Sequence, residues 1–187
     1  MLWLALWGYC NGEGRVMTQH DWAQMLAATA QPDGGASALA LCRDVTVRLV
    51  GARLFTVMVY DPATQLQRRI FTDNAAAYPV SGEKPLSVGP WSEAIIDKQV
   101  PFVGNSLAEL AVVFPDHALI GSLGLGSVLN VPIVIEGAVR SVFNMLHEPD
   151  YFTPERVATA LMLRPAYALA SLAAILAETS AQTPPNC

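Results

Sequence analysis

The sequence predicts an α+β domain built around an antiparallel sheet. Two segments have the pattern of β-hairpins, because in each of them two β-branched or apolar runs flank a short turn. The predicted order is helix, helix, hairpin, helix, strand, helices, hairpin, helix. A parallel βαβ fold would instead alternate single strands with helices, so this order indicates antiparallel pairing.

The first two predicted elements are helices. Thr18 and Asp21 form a capping pattern for the first helix, which ends at the turn residues 32–35. Its apolar face comprises Trp22, Met25 and Leu26. The apolar face of the second helix comprises Leu39, Cys42, Val45 and Leu49. Gly51 is the stop signal of the second helix, and the spacing makes Cys42 a core residue, not a nucleophile.

Five strands follow from the residue pattern. The first hairpin pairs residues 53–60 with residues 65–72, and a single strand is predicted at residues 100–103. The second hairpin turns at residues 136–137 (Glu-Gly). Pro132 lies inside the first strand of this hairpin. Because proline cannot donate to the ladder, it must lie at a sheet edge or a bulge.

Short helices are predicted between the hairpins. Pro90 occupies the first position of one of them. Ser106 and Glu109 form an S-x-x-E capping box for a second, and Asp116 can cap a third. These helices interrupt the strand pattern and connect the two hairpins.

The last predicted helix begins at residues 153–155 (Thr-Pro-Glu), which combine a cap, a proline at the first position and an early acid. Residues 164–165 (Arg-Pro) must kink or interrupt it. Its near-heptad apolar positions are Val157, Leu161, Ala168, Leu172 and Ile175.

Composition indicates one folded domain. The chain has 187 residues, of which 52% are hydrophobic and 14% charged. The net charge of −5 argues against a nucleic-acid partner, which would call for clustered lysine and arginine. Arg68 and Arg69 form the one adjacent basic pair, which we interpret as a solvated strand edge.

The termini and cysteines suggest a cytoplasmic protein. Cys10, Cys42 and Cys187 form no C-x-x-C motif, so neither a zinc site nor a redox pair is expected, and free thiols fit a reducing compartment. The first ten residues are apolar but too short to span a bilayer, and they lack the features of a signal peptide. No membrane partner is therefore expected.

The predicted domain extends over residues 18–181. Residues 1–17 form an N-terminal extension that is either disordered or not translated, since residues 12–14 (Gly-Glu-Gly) would be encoded much like a bacterial ribosome-binding site just before Met17. Residues 182–187 are predicted to be a frayed tail.

Five segments of the chain resemble the GAF domain family in the family's order and spacing. They are residues 51–55 (GARLF), 60–62 (YDP), 98–103 (KQVPFV), 123–132 (LGLGSVLNVP) and 151–155 (YFTPE). The resemblance covers about residues 36–177. Ser141 is one departure, because many GAF domains have glycine after the hairpin turn.

The resemblance implies a GAF-like, PAS-related fold. Such a fold has a six-stranded antiparallel sheet, with the terminal helices on one face and a small-molecule pocket with short helices on the other. It also implies ligand sensing, with homodimers formed through the terminal helices. Family ligands include cyclic nucleotides, bilins, haem and small metabolites, so the cofactor stays unknown.

Two family chemistries are not expected here. Bilin-binding members attach the chromophore through a cysteine beside a histidine, and Asp116 stands where that thiol would be needed. Members that reduce free methionine sulfoxide use cysteines in the loops before the fourth strand. This chain has no cysteine between Cys42 and Cys187, so that reaction has no nucleophile and no catalytic residue is assigned.

Asp116 and His117 are the first ligand-binding candidates. Either His117 hydrogen-bonds a ligand carboxylate or phosphate, or Asp116 fixes the tautomer of His117. The plainer alternative is an N-cap aspartate followed by a first-turn surface histidine. His117 and the residues 147–148 (His-Glu) share no short ligand motif, so no metal site is expected.

Three further candidates are Trp91, Asn130 and Asn144. Trp91 is either a lid over the pocket or a core aromatic residue. A regular two-residue turn would place Asn130 opposite Phe143 and Asn144 opposite Leu129, on different faces of the sheet. One asparagine would then reach the pocket and the other the helical face, unless a nearby backbone group satisfies each amide.

Ser127 is the last candidate. It follows the glycine-rich residues 121–126, which precede a strand and lack the lysine of a P-loop. Those glycines are therefore interpreted as architectural, although a backbone contact to a ligand is left open.

The resemblance thus implies a small-molecule-binding regulatory module, and the sequence shows no output domain of its own, so we expect it to act as a dimer or through a separate signalling partner. The alternative is a non-liganded dimerisation or interaction domain whose pocket is filled by its own side chains. A small-molecule enzyme is the least expected. An open cavity bordered by Trp91, His117 and one of the two asparagines favours sensing.

Overall fold

A computed structural model of the chain describes residues 16–33, 35–80 and 82–182. The strands are β1 (Leu54–Asp61), β2 (Leu66–Thr72), β3 (Lys84–Pro85), β4 (Phe102–Gly104), β5 (Ser127–Ile135) and β6 (Ala138–His147). The helices are α1 (Gln19–Thr29), α2 (Ala36–Leu49), α3 (Pro90–Ser92), α4 (Leu107–Val113), α5 (His117–Ser122), α6 (Pro154–Met162) and α7 (Arg164–Gln182). A π-helical turn, Glu93–Asp97, continues α3.

The strands form one antiparallel sheet in the order β3-β2-β1-β6-β5-β4. This confirms the α+β class and the six strands implied by the family resemblance. The residue pattern alone predicts five of them. It misses β3, because a two-residue strand with an exposed lysine and proline has no periodicity to detect.

The β5–β6 hairpin contains the feature that determines the register of the site. Glu136 and Gly137 have φ values of 54° and 75°, so both central residues adopt the left-handed region that a type I′ turn requires. Val134 pairs with Val139, but Ile133 pairs with Ser141, which leaves Arg140 as an extra residue in β6. This bulge shifts every later pair by one residue.

The bulge corrects the predicted positions of the two asparagines. Asn130 lies opposite Asn144, not opposite Phe143, and Asn144 does not lie opposite Leu129. Because a one-residue shift exchanges the two faces of a strand, both asparagines lie on the same face of the sheet.

Pro132 lies at an edge, as its chemistry requires. β4 pairs with residues 128–130 only, so the outer side of β5 has no neighbouring strand at Pro132. The missing N–H of proline therefore interrupts no ladder.

The four long helices cover one face of the sheet. Their core packs against alternate residues of the central strands, which are Phe55, Val57, Leu129, Val131, Ile133, Phe143 and Met145. The four predicted core positions of α2, from Leu39 to Leu49, are all buried. Leu26 and Leu172, on the predicted apolar faces of α1 and α7, are 63% and 38% exposed.

The predicted helix ends are largely confirmed. Thr18 and Asp21 form a complete capping box, and Gly51 ends α2 with φ 91°. Glu109 donates its backbone N–H to Ser106, but its carboxylate accepts from Asn105, one residue before the cap. The predicted break between α6 and α7 is a bend of 49°.

Several sequence predictions lie outside the described residues. These are Cys10, Cys187, most of the N-terminal extension and the tail after Gln182. Met17, near the end of that extension, packs against the helical core.

Candidate functional site

A cavity of about 620 Å³ lies on the face of the sheet opposite the long helices. Its floor is formed by alternate residues of β1, β5 and β6. The β3–α3 segment and the α4–α5 segment form its rim. The floor residues are Leu54, Thr56, Met58, Val128, Asn130, Asn144 and Leu146, and the rim includes Lys84, Ser87, Val88, Trp91, Val113, Phe114 and Asp116. The short helices position the rim because the chain must cross from β2 to β4 and from β4 to β5 above the sheet.

A row of hydrogen-bonded side chains crosses the floor. Thr56, Asn144 and Asn130 lie in register on β1, β6 and β5, so all three point into the cavity. Asn130 Nδ2 donates to Asn144 Oδ1 over 2.7 Å, and Asn144 Nδ2 donates to Thr56 Oγ1 over 3.2 Å. Asn130 is only 3% exposed, and such a buried amide requires partners. The row gives each amide hydrogen-bond partners while keeping it at the cavity surface.

Trp91 completes this amide row. Its indole Nε1 donates to Asn130 Oδ1 over 2.9 Å. The helix that carries it is fixed by Pro90 and by Ser92, whose Oγ accepts from the backbone N–H of Gly89 over 2.9 Å. Trp91 both lines the cavity and packs against the small cluster that contains Ile95. It therefore lies between the cavity and this part of the core.

A cluster of charged and polar side chains forms the wall of the cavity on the β2 side. Arg69 Nη1 donates to the carbonyl of Pro79 over 2.9 Å, and its guanidinium carbon lies 5.1 Å from the centroid of the Tyr78 ring. The Tyr78 hydroxyl donates to Asp116 Oδ2 over 2.9 Å. The three side chains join the β2 wall to the start of α5.

Burial is the largest influence on the pKa values of Arg69 and Tyr78. It lowers the pKa of the Arg69 guanidinium, and the negative charge of Asp116 only partly opposes this effect. Burial likewise raises the pKa of the Tyr78 hydroxyl, and Asp116 raises it further. The raised pKa keeps Tyr78 neutral at physiological pH, and Arg69 is charged because an arginine side chain is not deprotonated in proteins.

Two of the six predicted candidates lie outside the cavity lining. The Nδ1 atom of His117 lies 3.0 Å from the carbonyl oxygen of Phe114, within its own turn. Ser127 is fully buried and donates to the carbonyl of Glu148 over 2.6 Å. Asp116 does line the cavity and precedes α5, but its side chain makes no capping bond.

Arg69 is the main residue that the sequence interpretation missed. It was expected at a solvated strand edge together with Arg68, whereas it is half-buried in the cavity wall. Adjacent strand residues point to opposite faces, and Arg68 forms an ion pair with Glu178 of α7 on the other face. The alternation of β2 was therefore a usable signal, because one arginine of the pair must face the pocket side.

The glycine-rich segment has an architectural role. The N–H groups of Gly124 and Leu125 donate to the carbonyls of Gly121 and Ile120, which closes the end of α5. A Cβ at Gly126 would lie 2.5 Å from Pro149 Cγ, so this glycine permits close packing.

Residues 16–33, 35–80 and 82–182 contain no group of three or more His, Cys, Asp or Glu side chains that could hold a metal ion. In the same part of the chain no single helix is long and apolar enough to cross a membrane; α6 and α7 together reach that length and composition, across their 49° bend.

Several solved structures share the fold of this chain. The GAF domain of a phosphoenolpyruvate-protein phosphotransferase from Coxiella burnetii has a TM-score of 0.61 at 17% identity, covering 87% of this chain and 95% of that one. The corresponding Acinetobacter domain has a TM-score of 0.62 at 13% identity, covering 91% and 100%. Free methionine-R-sulfoxide reductase from Neisseria meningitidis has a TM-score of 0.57 at 15% identity, covering 86% and 89%. At these identities the similarity shows the fold alone.

The family is shown by the sequence itself. No curated protein sequence matches the chain. The family model described as GAF domain matches residues 36–170, which is most of the chain and contains the whole sheet, the cavity and the start of α7. The chain therefore belongs to the GAF domain family, whose members are typically sensory or regulatory modules.

Proposed function

We propose that this chain is a non-catalytic regulatory module that binds a small molecule in the cavity above β1, β5 and β6. The observation that supports the proposal is the open cavity of about 620 Å³ with a hydrogen-bonded amide row on its floor. Ligand pockets of proteins are typically about 300–1,000 Å³, mostly apolar, with a few placed polar groups. The cavity fits this description.

The amide row favours a ligand site over a passive interior. A scaffold domain would gain stability by filling this space with apolar side chains, because buried amides cost free energy unless every polar atom is paired. Asn130 keeps a second Nδ2 proton beyond the one it gives to Asn144. A ligand oxygen above the floor would accept it.

A thermal-shift screen against nucleotides, amino acids and short carboxylic acids tests the proposal. A ligand of the cavity raises the melting temperature of the wild type. Val113→Trp fills part of the cavity from the rim, so it should abolish the shift. Val112→Trp is the matched control, since Val112 is 77% exposed and does not line the cavity. If no compound gives a shift that depends on residue 113 in this way, the proposal is wrong.

The proposed module is cytoplasmic and dimeric, and passes its signal through the terminal helices or to a separate partner protein. Leu26 on α1 and Leu172 on α7 support the dimer, because α1 packs beside α7 and both leucines are exposed. The double variant Leu26→Glu, Leu172→Glu should lower the mass measured by light scattering to that of a monomer. Leu119→Glu, at a leucine 39% exposed on α5, is the control that should leave the mass unchanged.

A further inference from the structure

The polar groups of the cavity are separated into two poles. One pole is the amide row that ends at Asn130 on β5. The other is the wall formed by β2 and β3, where Gln67 pairs directly with Lys84 and Arg69 lies two residues further along the same face. Three strand spacings of about 4.8 Å each separate β2 from β5, so Arg69 and Asn130 stand at least roughly 14 Å apart at the level of the backbone.

The β2–β3 pole is cationic. Arg69 and Lys84 line it, and among the described lining residues Asp116 is the one acidic side chain. This excess of positive charge stands out in a chain whose net charge is −5. The Asp116 carboxylate accepts the neutral Tyr78 hydroxyl and adds one negative charge beside the two cations, so an anionic ligand would be attracted to this wall.

Arg69 is held in place before any ligand arrives. The bond to the Pro79 carbonyl and the contact with the Tyr78 ring fix the guanidinium, which reduces the entropy lost when it binds. A guanidinium presents a planar fork that suits a carboxylate. Burial also removes part of its hydration, and an anionic ligand would restore the lost interaction.

Much of the remaining floor is apolar. Met58 lies beside Arg69, Leu54, Val128 and Leu146 lie beyond the amide row, and Phe114 lies on the rim. A ligand that reaches both poles therefore also covers hydrocarbon. A phosphate-rich ligand fits less well, because the backbone N–H groups of the glycine-rich segment are used to close α5.

Resting on the proposed function, we infer that the ligand is a small apolar carboxylic acid. Its carboxylate lies against Arg69 and Lys84, its apolar body covers the floor, and a hydrogen-bonding group at its far end meets Asn130.

Matched probes test this inference. The probes are 3-phenylpropanoic acid and 3-(4-hydroxyphenyl)propanoic acid, each with its primary amide and its corresponding primary amine. We expect the acids to raise the melting temperature in a manner abolished by Val113→Trp, and to bind at least about tenfold more tightly than the amides by calorimetry. The hydroxylated acid should give the larger shift.

Two arginine variants identify the pole. Arg69→Gln should abolish the advantage of each acid over its amide. Arg68→Gln should preserve it, because Arg68 points to the opposite face and pairs with Glu178. The comparison of acid with amide on the wild type holds even if Arg69→Gln fails to fold.

The negative outcomes are distinguishable. Amides or amines that bind as well as the acids in the cavity, or an acid preference that survives Arg69→Gln, would overturn the carboxylate assignment and leave the proposed function standing. Equal shifts from the hydroxylated and plain acids would overturn the contact with Asn130. Absence of binding by all six probes also overturns the inference, whereas the proposed function is judged by the wider screen.

Discussion

Asn130 and Asn144 lie directly opposite each other on β5 and β6, and the amide of Asn130 donates to Asn144 Oδ1 over 2.7 Å. This contact exists because Arg140 is an extra residue in β6. Without that bulge the two asparagines would face different sides of the sheet. One extra residue near the hairpin turn therefore creates the polar floor of the cavity.

The amide row should behave as a coupled unit. Asn130→Ala leaves the Trp91 indole N–H and Asn144 Oδ1 without their partner, so we expect a loss of about 1–3 kcal/mol of unfolding free energy. Asn144→Ala should cost a similar amount, and the double variant should cost at least about 0.5 kcal/mol less than the sum. Urea denaturation of the three variants measures this coupling. Strictly additive costs would show that the row is not a unit.

The predictable parts of the fold are those fixed by neighbouring residues. The turn at Glu136 and Gly137, the capping box of Thr18 and the buried face of α2 follow from local conformational preference and helical periodicity. The family resemblance supplied the sixth strand and the position of the pocket. Trp91 and both asparagines line the cavity, whereas the sequence placed only one of the two asparagines on its side of the sheet.

The remaining features depend on contacts between distant segments. No local pattern in residues 138–141 marks Arg140 as a bulge. The prediction that Asn130 and Asn144 lie on different faces of the sheet was therefore wrong. Arg69 was interpreted as solvated because the segment that covers it arrives later in the chain. Leu172 fits the apolar period of its helix, yet α7 has more apolar positions than the sheet can cover.

Thr46 and Tyr167 form a buried hydroxyl pair in the helical core, with 2.6 Å between their oxygens. Thr46 already donates to the carbonyl of Cys42, so Tyr167 is the donor in the pair. Tyr167→Phe removes the donor and should cost about 1 kcal/mol. Thr46→Val leaves the buried Tyr167 hydroxyl without its hydrogen-bond acceptor and should cost more, about 2–3 kcal/mol of unfolding free energy. Chemical denaturation gives both values, and the opposite ranking would contradict the assigned donor.

Gly35 and Gly137 provide a matched test of close packing. Their φ values are 79° and 75°, so replacement by alanine carries similar backbone strain of about 1–2 kcal/mol at each. A Cβ at Gly35 would lie 2.7 Å from the backbone nitrogen of Ala174, whereas a Cβ at Gly137 meets nothing within 4 Å. Gly35→Ala should therefore cost about 1–3 kcal/mol more in denaturant titrations. Equal losses would argue against close contact between the start of α2 and α7.

Cys42 should be unreactive in the folded protein. Its side chain is buried, its Sγ lies 3.6 Å from the carbonyl oxygen of Ala166, and burial raises the pKa of the thiol far above its ordinary value. Iodoacetamide at pH 8 should leave the tryptic peptide 16–43 unmodified in buffer and alkylate it fully in urea. Mass spectrometry of that peptide separates Cys42 from the other cysteines. Rapid alkylation under native conditions would show that this part of the core opens.

Asp21 should make stability depend on pH. Burial acts to raise its pKa, but hydrogen bonds from Thr18 and from Arg48, 2.6 Å away, outweigh this effect and lower it. A carboxyl with a lowered pKa in the folded state adds stability above its unfolded pKa of about 3.9, and that stability is lost as the pH falls through the folded value. Asp21→Asn should therefore cost about 1 kcal/mol at pH 7 and progressively less below pH 4.

The control for this charge effect is Asp44→Asn. Asp44 pairs with Arg43 over 3.0 Å, but its side chain is 67% exposed, so its removal should change the unfolding free energy little at any pH. Urea titrations of the wild type and both variants between pH 3 and pH 7 measure the difference. A deficit of Asp21→Asn that stays constant down to pH 3 would mean that the side chain acts through its shape and hydrogen bonds and not through its charge.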